Sequence, residues 1–362
     1  MAKLYNFLKY TLLWPVSKVY GLVVYIRNKM FDNNILKQHS FKVPVVVVGN
    51  IAVGGSGKTP HTEYIVSQLC KELNIGVLSR GYKRKTKGFV LAGPDSHHDA
   101  IGDEPYQIYH KFGGKVMVAV CEDRVAGINR MLKLNPDLEM IVLDDAFQHR
   151  YVKPSVSVVL TEYLHSPFED ALLPFGRLRE PLRALNRADI VVVTKCPSDV
   201  KPMDFRVFKE QLNLYPYQKL VFSTYEYLDP KPVFPDAGGA IPPLESLTGE
   251  DILISLTGIA NPRPFVRYLR TFRAKVKILR FDDHHQFTPS DMQSVIDKWK
   301  SAGNRRKYIL TTEKDAVRLA ECSFFPENLK PWIFYLPIEV KILPNSDVEL
   351  AEGITHIIRS KI

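Results

Sequence analysis

The amino-acid sequence predicts an α/β fold: a largely parallel sheet sandwiched between helices, with an interfacial helix ahead of it and a smaller α/β domain after it. Three observations carry this. Continuous β-branched and aliphatic runs recur at 43–48, 116–120, 156–160 and 190–193, separated by stretches of helical length. Such runs suit strands covered on both faces, as right-handed βαβ units require. The first run leads into Gly54-Gly55-Ser56-Gly57-Lys58-Thr59-Pro60, a glycine turn between a strand and a helix. A later run, Met140-Ile141-Val142-Leu143, ends in adjacent carboxylates, Asp144 and Asp145. Together these features describe a P-loop NTPase-like αβα sandwich.

The elements follow in order. Residues 4–26 are rich in aromatic and aliphatic side chains with lysines between them, but Lys9, Pro15 and Lys18 leave no uncharged span long enough to cross a bilayer. No small-residue cleavage site follows, so the stretch is not a cleaved signal. Trp14 and the tyrosines beside lysines suit a helix lying in a membrane interface, within an N-terminal segment 1–36.

The domain expected over 37–227 begins with the strand before the glycine loop. Gly54, Gly55, Ser56 and Gly57 allow the backbone to wrap phosphates and aim N–H groups at them. Lys58 reaches the β- and γ-phosphates, and Thr59 offers a hydroxyl to Mg²⁺. Pro60 at the helix start costs no hydrogen bond. The general motif has a glycine where this chain has Ala52.

A second strand at 76–79 runs into Arg80-Gly81-Tyr82, then into a basic loop with Lys83, Arg84, Lys85 and Lys87. A solvated charge run or an anion contact both fit it. His97-His98-Asp99 lacks a third ligand at metal spacing and reads as loop. Gly102-Asp103-Glu104-Pro105 opens a helix, where acidic residues either complement the dipole or present a carboxylate to a site. Asp144 and Asp145 fall where a core strand delivers metal-binding carboxylates beside a P-loop. The segment 173–181 adds Arg177 and Arg179, whose donor forks suit phosphate oxygens.

Residues 228–249, rich in proline, read as a connector. A smaller α/β domain over 250–362 has expected strands at 252–256, 276–281, 308–311 and 332–336. It lacks a phosphate loop and is expected to complete the first domain's site.

The excess of 49 basic over 39 acidic residues, +10 overall, favours an anionic partner. No nucleic-acid module accompanies it, so no nucleic acid is expected. Cys70, Cys121, Cys196 and Cys322 form no C-x-x-C pair, which excludes a disulfide framework and a cysteine zinc site.

Taken in sequence, VGNIAVGGSGKTP, LSRGY, GDEP, LDDAFQHR, LPFGRLREP, DHH and TEKDA resemble the tetraacyldisaccharide 4′-kinase family of lipid A synthesis, over nearly the whole chain. The family also lacks the first P-loop glycine; Ala146 stands where it carries Gly. The resemblance implies ATP-dependent phosphorylation of the 4′-hydroxyl of an acylated disaccharide 1-phosphate lipid. It further implies Asp103 as catalytic carboxylate, supported by His284 or His285 of the DHH motif. Lys58 and Thr59 would hold phosphates and Mg²⁺, with Asp144 and Asp145 completing the metal site. Gln148 would contact nucleotide, and Arg177 would stabilise the transferring phosphoryl. Such an enzyme would sit on the inner membrane, peripheral on its cytoplasmic face, with no obligate protein partner. The competing reading is a membrane-associated P-loop NTPase switch without lipid kinase activity. Thr194-Lys195-Cys196-Pro197 lacks the N-K-x-D pattern that a guanine-specific switch would carry.

Overall fold

The strand that leads into the glycine loop, β1 (Val45–Asn50), is buried along its whole length and lies inside the larger sheet. It starts just after Pro44, which has no N–H for a ladder but whose carbonyl accepts from Ile141. In this computed structural model, which describes residues 9–165, 167–197, 199–283 and 285–361, the chain forms two units. Unit 1 comprises 1–225 and 340–362; unit 2 comprises 226–339.

Unit 1 continues through β2 (Ile75–Ser79), β3 (Val90–Leu91), β4 (Met117–Val120), β5 (Met140–Asp144), β6 (Val156–Glu162), β7 (Ile190–Thr194) and β8 (Lys219–Tyr227). Unit 2 holds β9 (Lys231–Pro232), β10 (Ile252–Thr257), β11 (Lys275–Arg280), β12 (Lys307–Thr312) and β13 (Ile333–Leu336), and β14 (Ile338–Ile342) follows. The larger sheet has the order β14-β8-β7-β6-β1-β5-β2-β4-β3. From β8 to β4 its pairings are parallel, and the short β3 runs antiparallel to its neighbour. Valines from β1 divide between two apolar layers, one on each face of the sheet. Double-sided burial is why these strands read as unbroken β-branched runs.

Register fixes what happens at the carboxyl end. Val48 of β1 lies beside Asp144 of β5, so the acidic pair emerges next to the turn that follows β1. Ligands of open parallel sheets gather at this edge.

The end of the chain departs from the expected domain at 250–362. Residues 340–362 return to unit 1. Leu350, Ala351, Ile354 and Ile358 of the helix Leu350–Lys361 bury in the layer that holds Val156, Ile190 and Val221. Lys361 closes the return on Asp189 at 2.7 Å. The expected connector at 228–249 is also part of unit 2, because β9 pairs with β13. The second sheet has the order β11-β10-β12-β13-β9 and is parallel except for β9.

The N-terminal segment is a π-helical turn, Lys9–Leu13, continuing into the helix Trp14–Asp32 with Pro15 in its first turn. No described helix is long and apolar enough to cross a membrane. The helix is tied to unit 1 by polar groups: Ser17 donates to the Leu172 carbonyl at 2.8 Å, Tyr20 to the Arg179 carbonyl at 2.9 Å and Arg27 to the Gln148 carbonyl at 2.9 Å. Its apolar residues face outward instead: Val16, Val19, Leu22, Val23 and Ile26 are all at least half exposed.

Candidate active site

The turn after β1 is built from left-handed glycines. Gly54 has φ +121 and Gly57 has φ +86, conformations that a Cβ strongly disfavours. Gly57 is also crowded: a Cβ there would fall 1.7 Å from the Tyr225 hydroxyl. Thr194 donates to the Ser56 carbonyl at 3.0 Å, and Lys195 engages the Gly55 carbonyl while pairing with Glu162 at 3.2 Å. A trans peptide points its C=O and the next N–H opposite ways. Fixing the Ser56 carbonyl therefore aims the Gly57 N–H away from the brace, as a phosphate cradle requires. The Thr-Lys pair that a base-reading strand end would share is here a support for the loop.

Lys58 opens the helix Lys58–Leu69, and its ammonium lies 3.7 Å from Asp145. Asp144 is only 3 % exposed and accepts a hydrogen bond from Thr62 at 3.0 Å. Burial pushes its carboxyl up to about 6, and the like charges of Asp145 and Glu104 add to the rise while Lys58 and Thr62 oppose it. A carboxylate so strained by desolvation and like charge suits a divalent cation. Among the described residues no three His, Cys, Asp or Glu side chains converge as a metal cage. That donor set fits Mg²⁺, which takes one or two carboxylates and completes its shell with water and substrate phosphates. Asp144, Asp145 and the Thr59 hydroxyl are the residues that would hold it.

Asp145 adopts φ +48, whereas Ala146 is not among the residues with positive φ. The step from the family's Gly to Ala146 therefore needs no left-handed backbone. Gln148 donates to the Asn50 carbonyl at 2.7 Å, joining the loop after β5 to the end of β1.

The two arginines of the 173–181 segment take different partners. Arg177 pairs with Asp170 at 2.9 Å. Arg179, which sequence reasoning passed over for Arg177, reaches Asp145 at 3.1 Å and Gln148 at 3.4 Å. A backbone bridge between Ala52 and Leu178 seats this segment on the phosphate loop.

Asp103 starts the helix Asp103–Phe112 after Gly102, whose φ is +92. Gly102 packs on Gly81 and on the Tyr82 carbonyl, so the LSRGY turn and the GDEP start share one corner. The charge of Glu104 is felt at Asp144, which sets this helix start at the edge of the acidic pair. The charge of Arg80 is felt at Arg124, and both act on His149, whose imidazole burial lowers to about 4. The basic loop is partly neutralised: Arg84 pairs with Glu122, just after β4, at 2.6 Å and Lys85 with Asp99 at 2.5 Å.

In unit 2, His284 lies outside the described residues. His285 is stacked on Phe281 and held by Asp291 at 2.8 Å. Asp315 of TEKDA is fully buried; it accepts from the Gly258 N–H at 2.9 Å and the Thr312 hydroxyl at 2.7 Å.

Comparison with known proteins points to one family. The family profile described as Tetraacyldisaccharide-1-P 4′-kinase matches residues 9–358. A Tetraacyldisaccharide 4′-kinase of Bacteroides thetaiotaomicron is 48% identical over 354 residues, covering 96% of this chain and 93% of its own. That of Flavobacterium psychrophilum is 41% identical, with 98% of each chain covered. A crystal structure of LpxK from Aquifex aeolicus in complex with ATP superposes with a TM-score of 0.74 at 29% identity, covering 97% of this chain and 99% of that one. With a phosphate loop, an acidic pair at the end of β5 and the full series of family motifs on one chain, the protein belongs to the tetraacyldisaccharide 4′-kinase family.

Proposed function

We propose that this lipid kinase moves the γ-phosphoryl group of ATP to the 4′-hydroxyl of tetraacyldisaccharide 1-phosphate by the following division of roles. The N–H groups of the loop at 54–57 and the Lys58 ammonium hold the β- and γ-phosphates. Asp144, Asp145 and Thr59 would hold Mg²⁺, which when bound would supply positive charge against the phosphate oxygens. Arg179 neutralises charge on the transferring group. Asp103 accepts the proton of the sugar hydroxyl as its oxygen bonds to the γ-phosphorus and the bond to the bridging oxygen of ADP breaks. Little covalent chemistry is asked of the protein, since positioning and charge stabilisation supply most of such a rate enhancement.

The observation that carries the reading is the cluster at the carboxyl end of β1. Lys58 and Arg179 both meet Asp145 there, at 3.7 Å and 3.1 Å, beside a desolvated Asp144. Gln148 links that cluster to the β1 terminus. The part played by the DHH histidines rests on sequence alone, and the activities of His284→Gln and His285→Gln decide between them.

The outward apolar face of the helix Trp14–Asp32 supports contact with a membrane surface, where a tetraacylated substrate resides. We place that surface at the cytoplasmic face of the inner membrane, the side on which ATP is available.

The test is transfer of labelled phosphate from ATP to tetraacyldisaccharide 1-phosphate in mixed micelles, with wild type and Asp103→Asn. Label in the lipid, lost in the variant while ATP still binds, is the expected result. An Asp103→Asn enzyme that phosphorylates lipid at the wild-type rate overturns the proton-acceptor role.

A further inference from the structure

The helix that carries Lys58 and the helix that begins at Asp103 are joined by one buried carboxylate. Glu63 is 2 % exposed. Its Oε1 accepts from the Gln107 side chain at 2.8 Å, and its Oε2 accepts from the Lys111 ammonium at 2.5 Å. Asp103, Gln107 and Lys111 are spaced four residues apart, so they lie along one side of their helix. On the other helix Glu63 follows Lys58 by little more than one turn. A single side chain thus spans from the phosphate-gripping helix to the helix whose first residue is the acceptor-side carboxylate.

The chemistry makes this link stiff. A carboxylate so buried is costly unless both oxygens are engaged, and here an amide and an ammonium engage them. Lys111 keeps about a third of its side chain in solvent, so its own desolvation is modest. It also lies in the last turn of its helix, just before Gly113, where a cation complements the dipole. The link ties the second turn of the helix Lys58–Leu69 to the second and third turns of the helix Asp103–Phe112.

We propose that Glu63 is a positioning residue for phosphoryl transfer, holding the Asp103 helix in register with the phosphate loop. It touches no reacting atom and acts through Asp103 and Lys58. The inference rests on the reading of Asp103 as the acceptor-side carboxylate. Near-attack geometry tolerates little error, and a displacement of roughly 1 Å costs on the order of a hundredfold in rate. Releasing the link should therefore lower turnover without removing the groups that bind ATP.

The experiment compares Glu63→Ala, Glu63→Gln and, from the partner helix, Lys111→Met. Readouts are kcat at saturating ATP and lipid, ATP affinity by titration of the nucleotide, and melting temperature. Glu63→Ala should lower kcat by about ten- to a hundredfold with ATP affinity changed less than about threefold. Glu63→Gln, which keeps an acceptor for Gln107, should recover part of the loss. Lys111→Met should reproduce the drop with Glu63 intact, so that an Ala variant that fails to fold leaves the question open to test. In an Asp103→Asn background Glu63→Ala should add little, because the two act on one step. Equal kcat in wild type and Lys111→Met overturns the proposal, as does a loss in ATP affinity that accounts for the whole effect. An active Asp103→Asn enzyme refutes the reading of Asp103 instead, and the two failures are distinguishable.

Discussion

Replacing His61 by Asn removes a buried titrating ring from the first turn of the P-loop helix. The ring is 0 % exposed, with Nδ1 2.7 Å from the Gly57 carbonyl and Nε2 2.8 Å from the Ser223 hydroxyl. A carbonyl can only accept, so Nδ1 carries the proton and Nε2 accepts from Ser223. Burial drives the imidazole down from 6.5 to about 4, and nearby Lys195 adds to the fall while the Gly57 hydrogen bond opposes it. The sign follows from a depressed histidine. The unfolded chain takes up the proton first, so stability is present above about pH 6.5 and is lost as pH falls towards 4. The whole effect is about 3 kcal/mol, and about 2 kcal/mol of it is gone by pH 5. Asn keeps an amide donor for the Gly57 carbonyl but does not titrate. Urea unfolding at pH 7 and pH 5 should show wild type losing about 2 kcal/mol more than His61→Asn between the two conditions. His149, also lowered to about 4, titrates in both proteins and cancels in the difference. Equal losses in the two proteins would refute the argument that His61 is held neutral inside the fold.

Three further outcomes follow from the same geometry. Gly57→Ala places a Cβ at φ +86 and 1.7 Å from the Tyr225 hydroxyl; ATP affinity measured by calorimetry should collapse, and Tyr225→Phe should restore little, because the ring Cζ still lies 3.1 Å from that position. Thr194→Val removes the hydroxyl that bonds the Ser56 carbonyl at 3.0 Å and the Thr161 carbonyl at 3.3 Å; a loss of about 1–2 kcal/mol should appear as weaker ATP binding with lipid KM unchanged. Val19→Asp combined with Val23→Asp puts charge on the outward face of the N-terminal helix; co-sedimentation with anionic vesicles should fall severalfold while phosphorylation of a detergent-dispersed substrate persists.

The strands β1, β5, β6 and β7 of the larger sheet and β10 of unit 2 were legible because each is buried on both faces and therefore carries a largely apolar run. The phosphate loop was legible because glycine is needed at Gly54 and Gly57 for backbone reasons that composition exposes. Other features had no local signature. Arg177 and Arg179 stand two apart in an irregular segment with no periodicity, and only the seating of Leu178 on Ala52 decides which guanidinium meets Asp145. His61, Thr62 and Glu63 read as ordinary polar residues of a helix; their roles come from Ser223, Asp144 and Lys111, all remote in sequence. The return of 340–362 to unit 1 depends on which apolar layer the last helix covers, and no pattern within the helix specifies that.

The placement of the N-terminal helix bears on how a kinase with an acylated substrate is put together. Its inward groups grip the carbonyls of Leu172, Arg179 and Gln148, and Asn28 adds a bond to Glu180 at 2.9 Å. These belong to the two loops that carry Arg179 and Gln148 to the acidic pair. The same helix leaves an apolar stripe facing outward, with Lys18 over the Trp14 ring at 5.1 Å and Arg183 over Tyr25 at 4.7 Å. A helix whose only task was to adhere to lipid would need no bonds to the loops of Arg179 and Gln148, and a helix whose only task was to brace those loops would bury its valines and leucines against the protein. Having both features, it fixes the loops relative to whatever the apolar stripe rests on. The energetic consequence is that loop order and any contact made by the apolar stripe would draw on one helix. Loosening the polar side, for instance by Arg27→Ala, should therefore impair the Gln148 and Arg179 loops without reducing the apolar area offered to lipid.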